Sequence, residues 1–269
     1  MKKRAAAFTM TAVLAMSTSM LACAAEATPT VDAIKEAGKL IVGTSADYPP
    51  YEFHTEIDGE DTIVGFDIAI AQYIADSLGV EMEVIDMPFD SLLIGLGQGD
   101  FDLVMAGMTP TEERQKSADF SDIFWANDQL LIVRAEDAET LNSIDAIQGH
   151  QVGAQTGSIP YDLAVETVGA ENVIGLVKTQ DLIMELKAGK IDAIFSNTLS
   201  GSPYVAANDD LALSDIGLPN NDGGFAAAIA KGHEDFVAYV NEQLAEMTEK
   251  GLVEQYVNEA IELAGVLEE

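Results

Sequence analysis

Two arginines are the residues of this sequence best suited to binding an anion. Beyond residue 4 the chain contains only Arg114 and Arg134. A guanidinium group is planar and offers paired N–H donors that fit a carboxylate, which a lysine ammonium does not reproduce. Arg134 ends an apolar segment, and we expect it to be a solvated strand end. Arg114 closes the segment 107–114 (GMTPTEER), where a strand end leads into a helix. Two interpretations are open for Arg114: a carboxylate grip, or a surface ion pair with a nearby glutamate.

The residue patterns of common catalytic and metal sites are largely missing. No Gly-x-Ser-x-Gly is present, because the nearest segment, 43–47 (GTSAD), lacks the second glycine. His54, His150 and His233 have no metal-ligand spacing, and we expect them to be solvated loop residues. The acidic run at 58–61 lacks the spacing of a calcium loop. The sequence therefore predicts no metal, no cofactor and no enzymatic activity.

Strand and helix patterns alternate along most of the chain, which predicts an α/β fold with largely parallel sheets. Buried strands are expected at 39–43, 81–86, 102–105, 151–154, 173–177, 192–195 and 225–230. Helices are expected at 31–37, 66–78, 91–96, 158–167 and 181–188, and two more follow residue 235.

Two stretches of the sequence are faintly similar to each other. Segments 96–106 (LGQGDFDLVMA) and 186–196 (LKAGKIDAIFS) each join a helix end to an apolar strand, and Val42-Gly43 is echoed by Val152-Gly153. The repeat predicts two similar lobes, with residues 105–107 and 195–197 at equivalent carboxyl ends of strands, where open α/β sheets bind ligands. We expect the chain to cross between the lobes near residues 129–133 and again near 223–228.

The amino-terminal segment predicts export. A basic start, Met1-Lys-Lys-Arg4, precedes an uncharged segment that is too short for a lasting membrane span and is typical of a secretory signal. Cys23, the only cysteine, follows Met20-Leu-Ala and resembles the cysteine of a bacterial lipobox, with unusual residues in the first two positions. We expect a signal peptide over residues 1–23 and a lipid on Cys23 that anchors the protein at the outer face of the cell membrane. Cleavage a few residues later, which would remove Cys23 and leave a periplasmic protein, is the alternative.

The remainder of the chain is strongly acidic. Without the three basic residues of the leader it has 10 basic and 46 acidic residues, a net charge of −36. Such a polyanion is repelled by nucleic-acid phosphates and by anionic lipid headgroups. Nucleic acid is therefore excluded as a partner, but the negative charge does not identify which partner the protein has.

Five motifs in order resemble the polar amino-acid-binding proteins of ATP-driven importers, which form the extracellular solute-binding protein family 3. They are segments 43–51 (GTSADYPPY), 64–67 (VGFD), 87–90 (MPFD), 107–114 (GMTPTEER) and 119–122 (DFSD). The resemblance runs from about residue 38 to about residue 260. It implies a periplasmic-binding-protein-like clamshell, with two α/β lobes joined by two hinge strands. We expect a tether over residues 24–34, lobe 1 over residues 35–131 and 226–269, and lobe 2 over residues 132–225.

The resemblance also implies which residues contact the ligand. On lobe 1 an aromatic shelf falls on Tyr48 and Phe89, and a carboxylate grip falls on Gly107, Thr109 and Arg114. On lobe 2 the pocket positions fall on Gln155, Ser158, Ile159 and Asn197. The family usually has an acid in place of Asn197 and often a threonine in place of Ile159. A neutral amide forms a weaker bond with an ammonium group, so Asp47 or backbone carbonyls are alternative partners for the α-amine of a ligand.

The function implied by the resemblance is that of the extracytoplasmic binding component of an ABC importer. We expect a monomer that captures an amino acid or a related carboxylate between its lobes and delivers it to the membrane permease. One alternative is a carboxylate ligand without a free α-amine. Another is a dehydratase-like enzyme on the same scaffold, which would need a carboxylic acid in the cleft as proton donor. Asn197 is not an acid, which argues against the enzyme.

Overall fold

The computed structural model describes residues 30–126, 128–214, 216–218 and 223–266. The predicted signal peptide, Cys23 and most of the predicted tether lie outside these residues. The helices are α1 (Thr30–Ala37), α2 (Phe66–Leu78), α3 (Leu92–Gln98), α4 (Ile159–Val168), α5 (Thr179–Lys187), α6 (Thr198–Ala206), α7 (Glu234–Glu249) and α8 (Leu252–Val266). The strands are β1 (Lys39–Thr44), β2 (Asp47–Tyr48), β3 (Glu52–Ile57), β4 (Glu60–Val64), β5 (Glu81–Asp86), β6 (Leu103–Val104), β7 (Ala118–Phe120), β8 (Gln129–Arg134), β9 (Val152–Gln155), β10 (Val173–Leu176), β11 (Ala193–Asn197), β12 (Leu211–Ser214) and β13 (Ala228–Ala230).

Each lobe is built on a five-stranded sheet, and the two sheets have matching strand orders. The first sheet has the order β5-β1-β6-β13-β7, and the second has the order β10-β9-β11-β8-β12. In both sheets the first three strands run parallel and the fourth runs antiparallel to the third. A separate antiparallel sheet, β2-β3-β4, belongs to lobe 1. This architecture confirms the predicted α/β clamshell.

The faint sequence repeat corresponds to equivalent strand pairs in the two lobes. Val42 pairs with Leu103 in lobe 1, and in lobe 2 Val152 pairs with Ala193 in the same register. The glycines after these valines are equivalent too. A Cβ on Gly43 would lie 2.7 Å from the ring of Phe101, and a Cβ on Gly153 would lie 2.7 Å from the side chain of Ile191. Phe101 and Ile191 occupy the same position of the repeat, so both lobes pack a bulky side chain against a strand glycine.

Helices cover both faces of each sheet. In lobe 1, α1, α2, α7 and α8 pack on one face, and α3 packs on the other. In lobe 2, α4 packs on one face, and α5 packs on the other. Ile34 of α1 is buried in the lobe 1 core, where its burial is favoured by the hydrophobic effect. The part of the predicted tether from Thr30 onwards is therefore helix.

The two connections between the lobes lie side by side. The N–H of Phe225 donates to the carbonyl of Trp125 at 2.6 Å, and the N–H of Phe124 donates to the carbonyl of Phe225 at 3.0 Å. These residues form the two hinge strands. All of β8 pairs within the second sheet, so residues 129–131 belong to that sheet although we expected them in lobe 1. No described helix is long and apolar enough to cross a membrane.

Arg134 is not the solvated strand end that we expected. Its guanidinium pairs with Asp137 at 2.7 Å and with Asp192 at 2.9 Å, and it donates to the carbonyls of Leu186 and Ile191. The fold brings Asp192 beside the end of β8 from a distant part of the chain, which the local sequence pattern does not reveal. Arg134 therefore stabilises lobe 2.

Candidate functional site

One cavity between the lobes is lined by all nine residues predicted as ligand contacts. Lobe 1 supplies Tyr48, Phe89, Gly107, Thr109 and Arg114, and lobe 2 supplies Gln155, Ser158, Ile159 and Asn197. Six further lining residues were not predicted: Ser45, Glu52, Ala106, Gln129, Pro160 and Phe225. The fold thus brings the predicted residues together, from five separate segments of the chain.

Arg114 is held in a fixed orientation at the junction of the lobes. Its Nη1 donates to the carbonyl of Thr109 at 2.9 Å, and its Nη2 donates across the cleft to the carbonyl of Gly157 at 2.9 Å. The guanidinium carbon lies 5.2 Å from the centre of the Phe89 ring, within cation–π range. Since the fork is already oriented, little side-chain entropy would be lost when it binds a carboxylate.

The loop before Arg114 adds a hydroxyl and a backbone turn. Thr109 is 2% exposed, and within the described part of the chain its hydroxyl has no hydrogen-bond partner. Gly107 has a φ of +53°, and a Cβ there would lie 3.4 Å from the Tyr48 ring, so this turn favours glycine. The N–H of Gly107 donates to the Asp67 carboxylate at 2.8 Å. Burial raises the pKa of Asp67 to about 7, although this hydrogen bond acts in the opposite direction.

A buried glutamate is the most important lining residue that sequence reasoning missed. Glu52 of β3 is 1% exposed, and neither carboxylate oxygen has a hydrogen-bond partner among the described residues. Burial, followed by the negative charges of Asp67, Asp47 and Asp86, raises the pKa of Glu52 well above its usual range. An ionised carboxylate in such a place is costly unless a cation is beside it. A glutamate in a short strand is usually exposed, and the sequence carried no signal to the contrary.

Asn197 connects lobe 2 to the aromatic shelf of lobe 1. It is the N-cap of α6, because its Oδ1 accepts from the N–H of Ser200 at 3.0 Å. Its Nδ2 donates to the hydroxyl of Tyr48. The Tyr48 ring stacks on the fully buried ring of Tyr51 with centroids 5.1 Å apart. Asn197 thus contributes hydrogen bonds but no charge.

The first turn of α4 also borders the cavity. Ser158 is the N-cap of α4 and accepts from the N–H of Tyr161 at 3.2 Å, while Ile159 begins the helix. The amino terminus of a helix favours negative charge. Gln155 lines the same wall, but its Nε2 donates to Asp47 and to the carbonyl of Val177, each at 3.2 Å. Its amide nitrogen is therefore engaged by residues that do not line this cavity.

Glu52 places a carboxylic acid in the cavity, which the sequence did not lead us to expect. A cleft enzyme would need a carboxylic acid in the cavity, and Glu52 supplies one although Asn197 does not. Of the histidines, His54 is exposed but lies in β3 and not in a loop, 3.0 Å from Asp61, whereas His150 lies in a loop as expected, 2.9 Å from Asp192. Among the residues that the structure describes, no group of three histidine, cysteine, aspartate or glutamate side chains could hold a metal ion.

Comparison with known proteins identifies the family. The model for bacterial extracellular solute-binding proteins, family 3, matches residues 40–261. The arginine-binding extracellular protein ArtP of Bacillus subtilis (strain 168) is 35% identical over 226 residues, which cover 81% of this chain and 84% of ArtP. The L-cystine-binding protein TcyJ of Escherichia coli (strain K12) is 30% identical over 222 residues, which cover 82% of each protein.

A solved structure matches across both lobes. It is an amino acid ABC transporter substrate-binding protein from Streptococcus pneumoniae Canada MDR_19A, bound to L-arginine. The TM-score is 0.84 at 34% sequence identity, and the match covers 87% of this chain and 98% of that one. The resemblance predicted from the five motifs is thereby confirmed, and the chain belongs to the bacterial extracellular solute-binding proteins of family 3.

Proposed function

We propose that this chain binds an amino acid with a cationic side chain, L-arginine in particular, and delivers it as a monomer to the permease of an ABC importer. The observation that carries the proposal is that one cavity holds an oriented guanidinium, at Arg114, and a buried carboxylate with no hydrogen-bond partner among the described residues, at Glu52. A ligand with a carboxylate and a side-chain cation satisfies both. ArtP, which is named for arginine, and the pneumococcal protein, which was solved bound to L-arginine, support this choice, whereas TcyJ indicates that ligands vary among relatives.

The ligand carboxylate is assigned to the neighbourhood of Arg114. The hydroxyl of Thr109, which has no hydrogen-bond partner in the described part of the chain, lies beside it in the loop, and the amino terminus of α4 faces it from lobe 2. These groups are all donors or carry partial positive charge, so they favour an anion. Tyr48 and Phe89 supply flat apolar surfaces for the aliphatic part of the ligand.

The side-chain cation is assigned to Glu52. Its carboxylate is the acid that lines the cavity in the described part of the chain. The other candidate, Asp47, already accepts hydrogen bonds from Thr179 and Gln155. A guanidinium ligand would give Glu52 two parallel charge-assisted hydrogen bonds and remove the cost of its burial.

A calorimetric comparison of L-arginine with agmatine, which lacks the carboxylate, tests the carboxylate assignment. We expect wild-type protein to bind L-arginine and to bind agmatine at least 100-fold more weakly. Arg114→Ala should weaken L-arginine binding by about 2–5 kcal/mol, and Arg114→Lys should restore little of it. Lys116→Ala, on the exposed surface of the same turn, is the matched control. Equal binding of L-arginine by wild-type and Arg114→Ala protein would refute the assignment.

Binding without turnover is favoured over an enzyme. Glu52 could donate a proton, but the curated relatives are named as binding proteins. Mass spectrometry of L-arginine recovered after prolonged incubation separates the two classes. We expect the ligand to return unchanged, and a product that appears in wild-type but not in Glu52→Gln protein would establish an enzyme instead.

We also propose that Cys23 carries the lipid anchor, although it lies outside the described residues. Its place at the end of an apolar leader segment supports this. Expressed with its own leader in a bacterium that processes lipoproteins, the protein should sediment with membranes and be released by detergent. Cys23→Ser should give soluble exported protein or unprocessed precursor. Membrane association that survives this change would exclude a lipid on Cys23 as the anchor.

A further inference from the structure

We propose that Asp47 is a latch that gives the ligand-free protein a populated closed form by bonding lobe 2 without contacting the ligand. Asp47 lies in β2 of lobe 1 and is 8% exposed between the closed lobes. It is not among the residues that line the ligand cavity. The proposal concerns the opening and closing of the lobes, and it holds whichever ligand the cavity accepts.

Three elements of lobe 2 bond this single residue. The carboxylate Oδ2 of Asp47 accepts from the backbone N–H of Thr179, at the start of α5, at 2.9 Å. Its Oδ1 accepts from Nε2 of Gln155, at the end of β9, at 3.2 Å. Its backbone carbonyl accepts from the hydroxyl of Tyr204, on α6, at 2.9 Å. These bonds exist only while the lobes are together, because both sides must meet to form them.

The hydrogen bond between Asp47 and Thr179 caps the amino terminus of α5. The first N–H groups of a helix have no partner within the helix and need a cap. Lys178, at the N-cap position of α5, makes no capping hydrogen bond with its side chain. Asp47 supplies a carboxylate there from the other lobe, and a negative charge at a helix amino terminus is stabilising. Closure therefore caps the amino terminus of α5, whose first N–H groups would form hydrogen bonds only with water in the open form.

Closure also has a cost at Asp47. Burial raises the pKa of its carboxyl group, because the charged form loses hydration, although the hydrogen bonds from Thr179 and Ser45 act in the opposite direction. The latch therefore stabilises the closed form modestly, which leaves the lobes able to reopen and release the ligand.

The latch should influence affinity in a recognisable way. When only the closed form binds fully, the apparent Kd is the intrinsic Kd divided by the closed fraction. Loss of the latch should lower the closed fraction, and so weaken every ligand by the same factor. A residue in the cavity would instead change one ligand more than another.

The test compares wild-type protein with Asp47→Ala and with Tyr204→Phe, which removes only one of the three bonds. Asp61→Asn, an exposed acid of the same small sheet, is the control. Small-angle X-ray scattering of the ligand-free proteins should show a larger radius of gyration for Asp47→Ala and a smaller increase for Tyr204→Phe. The Kd values of L-arginine and L-citrulline should rise together, by roughly tenfold or more for Asp47→Ala, at an unchanged ratio.

Three results would overturn the latch. An unchanged scattering profile of ligand-free Asp47→Ala would show that the residue does not hold the lobes. Affinities within twofold of wild type would show that it does not contribute to closure. A change for one ligand and not the other would assign Asp47 to the ligand site. If wild-type protein bound neither ligand, the proposed function would fail, and the scattering comparison would still test the latch. Thermal unfolding confirms that each variant is folded.

Discussion

Glu52 and Arg114 place an acid and a cation in one cavity, in different surroundings. Arg114 is partly exposed and held by the carbonyls of Thr109 and Gly157. Glu52 is fully enclosed, with Asp67 as an acidic neighbour whose pKa is about 7. No described residue therefore forms a hydrogen bond with the Glu52 carboxylate. A cation placed beside it would interact more strongly with it than with a carboxylate at the protein surface.

At the residue scale, we predict that binding of L-arginine releases a proton from Glu52. Burial raises the pKa of Glu52 and so favours its protonated form without ligand, and pairing with a cation lowers that pKa. Affinity should therefore rise as the pH increases above the usual range of a glutamate pKa, by at most roughly tenfold per unit, and fall as Glu52 is protonated on acidification. Calorimetry in buffers of different ionisation enthalpy measures the proton directly.

Two variants decide whether Glu52 is the source of that proton. Glu52→Gln should remove most of the release, leaving any smaller contribution from Asp67. Glu56→Gln, an exposed position on the same strand, should behave as wild type. The same proton release in wild-type and Glu52→Gln protein would contradict the prediction.

A second residue-scale prediction concerns Asn197. Aspartate in its place can still accept from the N–H of Ser200 as the N-cap of α6, and it adds a negative charge to the cavity wall. Asn197→Asp should strengthen binding of L-arginine relative to 5-guanidinopentanoate, its analogue without the α-amine, by about 1.5–3 kcal/mol. Titration of both ligands into both proteins measures the difference. No shift toward the amine would mean that residue 197 does not face the α-amine of the ligand.

At the element scale, long and strongly periodic segments could be predicted from the sequence. The helix expected at 66–78 and the strand expected at 81–86 coincide with α2 and β5. The segments that were missed are short or interrupted, such as the small sheet of β2–β4 and helix α6, which contains Pro203. Their conformations depend on packing against distant parts of the chain, which local propensity does not record.

The sequence predicted which residues line the cavity better than it predicted their hydrogen-bond partners and their burial. Tyr48, Asn197 and the other expected contacts line one cavity because a resemblance to a family carries spatial information. The hydrogen-bond partners of these side chains could not be predicted in the same way. The bond of Gln155 to Asp47 joins the two lobes, and the burial of Glu52 depends on the folded structure around it, so no spacing along the chain reveals either.

At the scale of the whole molecule, two lobes of matching strand order close on a cavity beside a hinge at Trp125 and Phe225. We propose hinge closure, in which the ligand favours the closed form through the contacts that both lobes add there. The net charge of −36 beyond the leader fits the same account, since a strongly anionic surface attracts cationic ligands while it repels nucleic acid.

The most direct test of the central claim compares L-arginine with L-citrulline, which has nearly the same shape but a neutral side chain. Isothermal titration of both ligands into wild-type and Glu52→Gln protein measures how much the side-chain charge of L-arginine contributes to the binding free energy. The account predicts that wild-type protein prefers L-arginine by about 2–5 kcal/mol, and that Glu52→Gln loses most of this preference. Equal affinity of wild-type protein for the two ligands would contradict the assignment of the side-chain cation to Glu52.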